Sequence, residues 1–336
     1  MNFNFSFCSS LFFLLLLIIF PFVGVVGVGQ NVLFGIVIPY VAVAIFLIGF
    51  LYRVLTWARS PVPFKIQSTC GQQKTLPWIK HSKLENPSNS WEVFGRMFLE
   101  IFFFRSLFRN VRVDLIRDES KAIYWSSKWL WFFSILFHYA FLIVLLRHLR
   151  FFTDPVLSFV HILEKFGGFL EIGVPIMYLG GIILLVATIV LLLRRIFIRG
   201  LRYISLPSDY FSLFLIIGIA ATGILMRYFT RVDIVTIKEL TMGLVTFNPV
   251  IPQGDISPLF YIHLFLVSFL FIYFPFTKLM HMGGIFLSPT RNSSNNNRMV
   301  RHVNPWNPEV EVHTYEEYEE EFREKMKKAG LPLEKE

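Results

Sequence analysis

Six runs of apolar residues, each about as long as a bilayer is thick, dominate this chain. They lie near 5–29, 32–52, 125–149, 168–193, 208–229 and 257–281. A helix needs about 20 apolar residues to cross about 30 Å of hydrocarbon, where every backbone N–H and C=O must be satisfied within the helix itself. The pattern therefore predicts an all-α integral membrane helical bundle. Composition excludes a soluble domain of this size: 54% of the 336 residues are hydrophobic, 39 are Phe and only 16% are charged. Five runs make the core. The first, within residues 1–30, reads as an extra N-terminal transmembrane helix; its Pro21 and its glycines at 24, 27 and 29 leave a signal-like reading open, while the absence of Lys and Arg from its flank favours a retained helix.

Basic residues orient the bundle. The stretch from Arg53 to Lys128 holds 13 Lys and Arg, the 194–202 turn has Arg194, Arg195, Arg199 and Arg202, and the tail after Lys278 adds Arg291, Arg298 and Arg301. These share one side, the cytoplasm. The opposite loops carry Arg147, Arg150 and Lys165, then Arg227, Arg231 and Lys238, mixed with Asp154, Glu164, Asp233 and Glu239. The chain divides accordingly: core helix 1 at 31–56, a basic and aromatic cytoplasmic loop at 57–124, a four-helix part at 125–290, and a cytoplasmic linker with a C-terminal helix at 291–336. The net charge of +9 reports this orientation, and no nucleic-acid motif accompanies it.

Four histidines fall in two of the runs: His138 and His148 in one, His263 and His281 in the other. If the two helices are antiparallel, His138 faces His281 near the cytoplasm and His148 faces His263 near the outside. Two facing pairs at two depths are what two bis-histidine haems b require, since neutral imidazole is a good axial ligand for iron. A single intramembrane histidine has a plainer reading as a hydrogen-bonded packing residue; four at matched depths favour ligation. The spacings disagree, however. Ten residues separate the levels by roughly 15 Å on the first helix, and eighteen by roughly 27 Å on the second, unless tilt or a kink at Pro275 shortens it.

The stretch Tyr261-Ile-His263-Leu, followed by Phe274-Pro-Phe-Thr-Lys-Leu-Met-His281-Met, closely resembles the last helix of the respiratory nitrate reductase gamma-subunit family, a five-helix dihaem cytochrome b. Leu193-Arg194-Arg195 and Leu244-Val-Thr-Phe247 match it too, and the resemblance covers about 32–285. The segments Trp57-Ala-Arg-Ser-Pro-Val-Pro-Phe64, Thr69-Cys-Gly-Gln-Gln73, Leu76 to Pro87, Phe103 to Arg109 and Arg301-His-Val-Asn-Pro-Trp306 look like the membrane cytochrome b subunit of the sulfite-reduction-associated Dsr membrane complex, itself similar to the membrane subunit of heterodisulfide reductases. The resemblance implies exchange of electrons with menaquinol and transfer to a cytoplasmic iron–sulfur subunit related to heterodisulfide reductase. It also implies further redox subunits: a multihaem cytochrome c, an iron–sulfur protein and a second quinone-interacting membrane subunit. With two cysteines in all, Cys8 and Cys70, the chain cannot hold its own Cys-ligated cluster or attach a c-type haem.

No residue reads as catalytic on a terminal substrate. A quinol site needs hydrogen-bonding groups near a haem edge and an apolar route from lipid. Lys165 resembles a lysine that helps bind quinol in the nitrate reductase subunit, and Arg147 flanks the same outer level; an interfacial lysine that snorkels is the plainer alternative. His81, His161, His302 and His313 read as surface or interface residues. Segment 91–109 reads as an amphipathic helix on the membrane lipid, with Arg96, Arg105 and Arg109 available for anionic headgroups. An Asn- and Ser-rich linker at 292–297 reads as flexible, and 314–328 as a helix opened by a Thr314 and Glu317 capping box, with Tyr315, Tyr318, Phe322 and Met326 on one stripe. Two other functions stay open: a haem-free membrane anchor for a soluble reductase, which would tolerate loss of all four histidines, and a transporter, which would more often show internal repeats that this chain lacks.

Overall fold

The structure, a computed structural model, describes residues 3–61, 71–116, 120–167, 177–300, 309 and 311–334. The membrane part begins with α1 (Phe3–Phe22) and α2 (Ile38–Ala58). On the loop side follow α3 (Ser90–Phe103), α4 (Arg105–Phe108) and the strands β1 (Val111–Ile116) and β2 (Lys121–Ser126). The chain re-enters the membrane as α5 (Lys128–His148) and continues through α6 (Ser158–Gly167), α7 (Leu179–Phe197), α8 (Arg199–Ile204), α9 (Pro207–Leu225), α10 (Ile234–Val245) and α11 (Pro258–Tyr273). It ends with the short α12 (His281–Gly284) and the separate α13 (Tyr315–Lys328). Among the described residues six helical stretches are long and apolar enough to cross a membrane: Phe3–Gly27, Leu33–Ala58, Lys128–Phe151, Leu179–Phe197, Pro207–Thr230 and Pro258–Phe276. The protein is an all-α membrane bundle carrying one small hairpin.

Within the bundle α5 packs on α7, α7 on α9, α9 on α11 and α11 on α2. Helix α1 is a full member, lying against α9 and α11. Small residues let it approach: a Cβ on Gly218 would stand 3.1 Å from Leu14 Cδ1, and Ser10 Oγ lies 2.7 Å from the Ser6 carbonyl and 2.8 Å from that of Pro207. Leu14 is buried here with Tyr210, Phe214, Leu215 and Leu266.

The last helix does not run through to His281. It stops at Tyr273, tightens into 3₁₀ turns at Phe274–Phe276 and Lys278–Met280, and passes between them through Thr277 in an extended conformation (φ −126°, ψ −179°). Proline 275 removes a backbone donor and cannot continue the α-helix. Its ring sits against α2, where a Cβ on Gly49 would lie 2.8 Å from Pro275 Cβ. The 27 Å expected from eighteen helical residues therefore does not apply, nor does the argument that both histidines return to one helical face.

On the loop side three expectations change. Strands β1 and β2 pair antiparallel, with Val111 opposite Ser126 and Ile116 opposite Lys121, where the sequence suggested only loop and interfacial helix. Helix α3 does show an apolar stripe to the outside, through Trp91, Phe94, Phe98 and Phe102, all exposed. Its arginine neighbours, however, turn inward: Arg105 and Arg109 pair with the Glu85 carboxylate, and Arg96 donates to the Glu85 carbonyl at 3.2 Å. The polar face of α3 is internally satisfied as well. Burial pushes the Glu92 carboxyl up, but the Ser88 N–H at 2.7 Å and His81 at 3.1 Å outweigh it and hold the group below the usual range. Glu100, buried, takes Arg291 at 3.1 Å and the Ser106 hydroxyl at 2.5 Å.

The Asn-rich stretch is likewise anchored. Asn295 is 5% exposed; it accepts from Gln73 Nε2 and donates to Asn86 Oδ1, both at 2.9 Å, while its backbone N–H donates to the Pro87 carbonyl at 2.6 Å. These asparagines staple the chain after α12 to the loop before α3. Helix α13 opens on the expected capping box, Thr314 Oγ1 accepting from the Glu317 N–H at 3.3 Å and Glu317 accepting from the Thr314 N–H at 2.8 Å. Asn295→Ala strands the buried Gln73 and Asn86 amides at about 1–3 kcal/mol each. The expected outcome is faster limited proteolysis within 71–89 in detergent with helix content unchanged.

Candidate functional site

Helix α5 presents both of its histidines in the same way. His138 Nδ1 lies 2.7 Å from the Ser134 carbonyl and His148 Nδ1 lies 2.7 Å from that of Val144, each one helical turn back. A carbonyl only accepts, so Nδ1 carries the proton and Nε2 keeps its lone pair. His281, at the start of α12, repeats this arrangement with the Lys278 carbonyl at 2.8 Å. His263 on α11 differs. Its Nδ1 lies 2.8 Å from Thr222 Oγ1, whose own proton has the carbonyls of Gly218 at 2.8 Å and Ile219 at 3.0 Å to go to. The hydroxyl thus accepts from the imidazole and donates to its helix. All four rings keep Nε2 basic, held by a hydrogen bond at the other nitrogen, as metal-ligating histidines are.

The break after Tyr273 brings the rings into two pairs. The centroids of His138 and His281 are 5.9 Å apart with planes at 85°, and those of His148 and His263 are 6.4 Å apart at 16°. A metal ion lies about 2.0 Å from an imidazole nitrogen, so two rings on opposite sides of one ion have centroids roughly 6 Å apart. Both pairs have that separation. Ligation fixes the nitrogen–metal–nitrogen axis and leaves each ring free to turn about it, so either plane angle is compatible. Among the described residues no group of three or more His, Cys, Asp or Glu could hold a metal ion. Two imidazoles are an incomplete set, and the four equatorial nitrogens of a haem are what would complete it. The donor chemistry fits haem at both pairs.

The surroundings of the pairs differ. On the loop side Phe104, at φ +50° between α3 and α4, and Phe137 both place their rings 5.0 Å from that of His138. The loop-side platform thus packs directly on His138. On the far side Gly223 of α9 lies close to His263, where a Cβ would stand 3.4 Å from Cε1. Next to His148, Arg147 lies with its guanidinium carbon 3.3 Å from the ring centroid of Tyr178. Arg150 pairs with Glu164 at 2.6 Å. Lys165 is exposed on α6 and, among the described residues, makes no ion pair or hydrogen bond. His81, His161 and His313 each lie near a glutamate, Glu92, Glu164 and Glu317, away from the pairs. Cys70 and His302 lie outside the described residues, and Cys8 is exposed on α1.

Residues 89–301 match the nitrate reductase gamma subunit family. The chain belongs to that family. It is a cytochrome b-like membrane subunit that crosses the membrane several times. It is similar to the "Hdr-like menaquinol oxidoreductase cytochrome b-like subunit" of Archaeoglobus fulgidus, with 51% identity over 83% of this chain and 84% of the relative. A protein of the same description from Archaeoglobus profundus is 43% identical over 82% of this chain and 83% of its own length.

Sequence reasoning passed over Thr222, Tyr178 and Arg227. A threonine preceding a glycine inside an apolar run, and an arginine one turn later, were the available signals. Thr222→Val removes the acceptor of the His263 N–H at a cost of about 1–3 kcal/mol. Thr222→Ser restores it. Thermal unfolding in detergent should rank Ser close to the parent and Val clearly below.

Proposed function

We propose that the chain is a dihaem b cytochrome carrying electrons between menaquinol and a cytoplasmic iron–sulfur partner. The observation that carries this reading is the pairing of four imidazoles at 5.9 and 6.4 Å, each with Nδ1 engaged and Nε2 basic. When bound, the two haems supply one-electron carriers at two depths in the membrane. The positive-inside rule assigns the loop side to the cytoplasm. On that assignment His138 and His281 hold the inner group, and His148 and His263 the outer one.

The chain's own residues divide the work. The imidazoles fix the carriers, and the apolar helices around them exclude water between the two levels. Quinol approaches from lipid at the outer level, where Lys165 and Arg147 are the candidates for its headgroup. Oxidation there releases two protons to the outside while two electrons go inward one at a time, so charge moves across the membrane. The reverse flow, reducing quinone, would dissipate the potential. With no cluster of its own, the chain passes electrons on through a partner at the loop side. The names of its relatives support membership of an Hdr-like menaquinol oxidoreductase complex, and the iron–sulfur subunit related to heterodisulfide reductase is the partner we assign to the loop side. Within such an assembly we place the multihaem cytochrome c, iron–sulfur and second membrane subunits, and a role in dissimilatory sulfur metabolism. A cytochrome b subunit of a nitrate or heterodisulfide reductase would use the same residues.

Purified protein treated with a reduced menaquinone analogue should develop b-type absorbance. His263→Ala should lose one haem and all reduction by the analogue. His281→Ala should lose the other haem, keep reduction of the first, and block delivery to an acceptor on the loop side. Both haems intact in either variant would sink the pairing, and no b-type absorbance in the parent protein would favour the haem-free anchor.

A further inference from the structure

Two arginines meet at the far-side end of the bundle. Arg147 closes α5 immediately before His148, and Arg227 lies four residues after Gly223, the position of α9 nearest His263. Arg147 thus adjoins His148 in sequence and Arg227 follows the glycine nearest His263 by about one helical turn, so each neighbours a different member of the same histidine pair. Both guanidinium groups rest on one buried ring: their carbons are 3.3 Å (Arg147) and 4.2 Å (Arg227) from the centroid of Tyr178. The ring is itself held, its backbone N–H donating to the Tyr228 hydroxyl at 2.7 Å.

Among the described residues the charges at this spot do not balance. Of the carboxylates nearby, Glu164 is taken by Arg150 at 2.6 Å. Arg147 and Arg227 have no ion pair among the described residues, and their Nε atoms are buried without a hydrogen-bond partner there. An aromatic face attracts each cation but cancels neither charge. Two like charges at the edge of hydrocarbon repel strongly and call for anions with several acceptor oxygens, which a guanidinium binds through its paired N–H groups. A quinone headgroup is neutral and would leave the imbalance. Haem b carries two propionate carboxylates.

We infer that Arg147 and Arg227, steadied by Tyr178, bind the propionates of the haem held by His148 and His263. This rests on the dihaem reading and gives Arg147 a task other than reading quinol. Two positive charges beside the carboxylates keep them ionised and raise the affinity for the whole group.

The test uses the full-length holoprotein in detergent and compares Arg147→Gln, Arg227→Gln, the double variant and the corresponding lysine variants. Haem content per chain, a redox titration resolving the two haems, and KM for a menaquinol analogue are read together. The double Gln variant should lose the outer haem on extended washing, or shift its reduced-to-oxidised ratio by about tenfold toward the oxidised form. The inner haem should be unmoved, which also certifies the fold, and the lysine variants should be intermediate. Unchanged content and potential of the outer haem in the double variant would overturn the inference. So would a rise in KM alone, which would make the pair a quinol site, or loss of co-purified phospholipid alone, which would make it a headgroup site. Absence of both haems from the parent protein would instead remove the dihaem reading beneath it.

Discussion

An imidazole inside a membrane has two nitrogens to satisfy, and that requirement organises this bundle. At His138, His148 and His281 a backbone carbonyl takes the Nδ1 proton, and at His263 the Thr222 hydroxyl does. Each solution leaves an unshared pair on Nε2, in a ring whose centroid is about 6 Å from that of a second imidazole. Regular helix suffices for α5, whose carbonyls one turn back lie where the rings need them. The partner strand of chain has to be broken. Pro275 and the extended Thr277 turn the chain after α11 so that His281 meets His138, and Gly49 of α2 makes room for the proline ring. The break is thus part of the site rather than a flaw in a transmembrane helix.

The two ends of the bundle are built for different neighbours. On the loop side, α3 points its polar face inward onto His81, Glu85 and Arg291 and its aromatic stripe outward, the inverse of a soluble helix and the arrangement an interfacial helix needs. Phe104 carries this platform onto His138. The asparagine staple through Asn295 ties the chain after α12 to the same loop. At the far side two cations, Arg147 next to His148 in sequence and Arg227, rest on Tyr178. On the proposed reading one end receives electrons and the other delivers them.

Much of this was legible because membrane segments obey few rules. Six apolar runs gave six spanning helices, and depth arithmetic on four histidines gave the two pairs. The conflict between ten and eighteen residues itself pointed to Pro275. Less legible were features decided by tertiary contact. The strands β1 and β2 alternate as Val111-Arg-Val-Asp, yet lie among aromatic and basic residues that read as an interfacial helix. An Asn- and Ser-rich run has the composition of a linker, and only the partners Gln73 and Asn86, more than two hundred residues away in sequence, reveal that Asn295 is buried. Arginines 96, 105 and 109 look available for headgroups until Glu85 is seen among them. The signal at Thr222 is weak, since a hydroxyl in an apolar helix usually bonds back to its own turn.

The central claim is that two metal centres, each between two imidazoles, lie at two depths. Haem quantification combined with electron paramagnetic resonance of the oxidised protein tests it most directly. The account predicts two haems b per chain and two low-spin ferric signals of different shape, because the ring planes stand at 85° in one pair and 16° in the other. One haem per chain, a high-spin signal lacking a second axial imidazole, or no haem at all would contradict it.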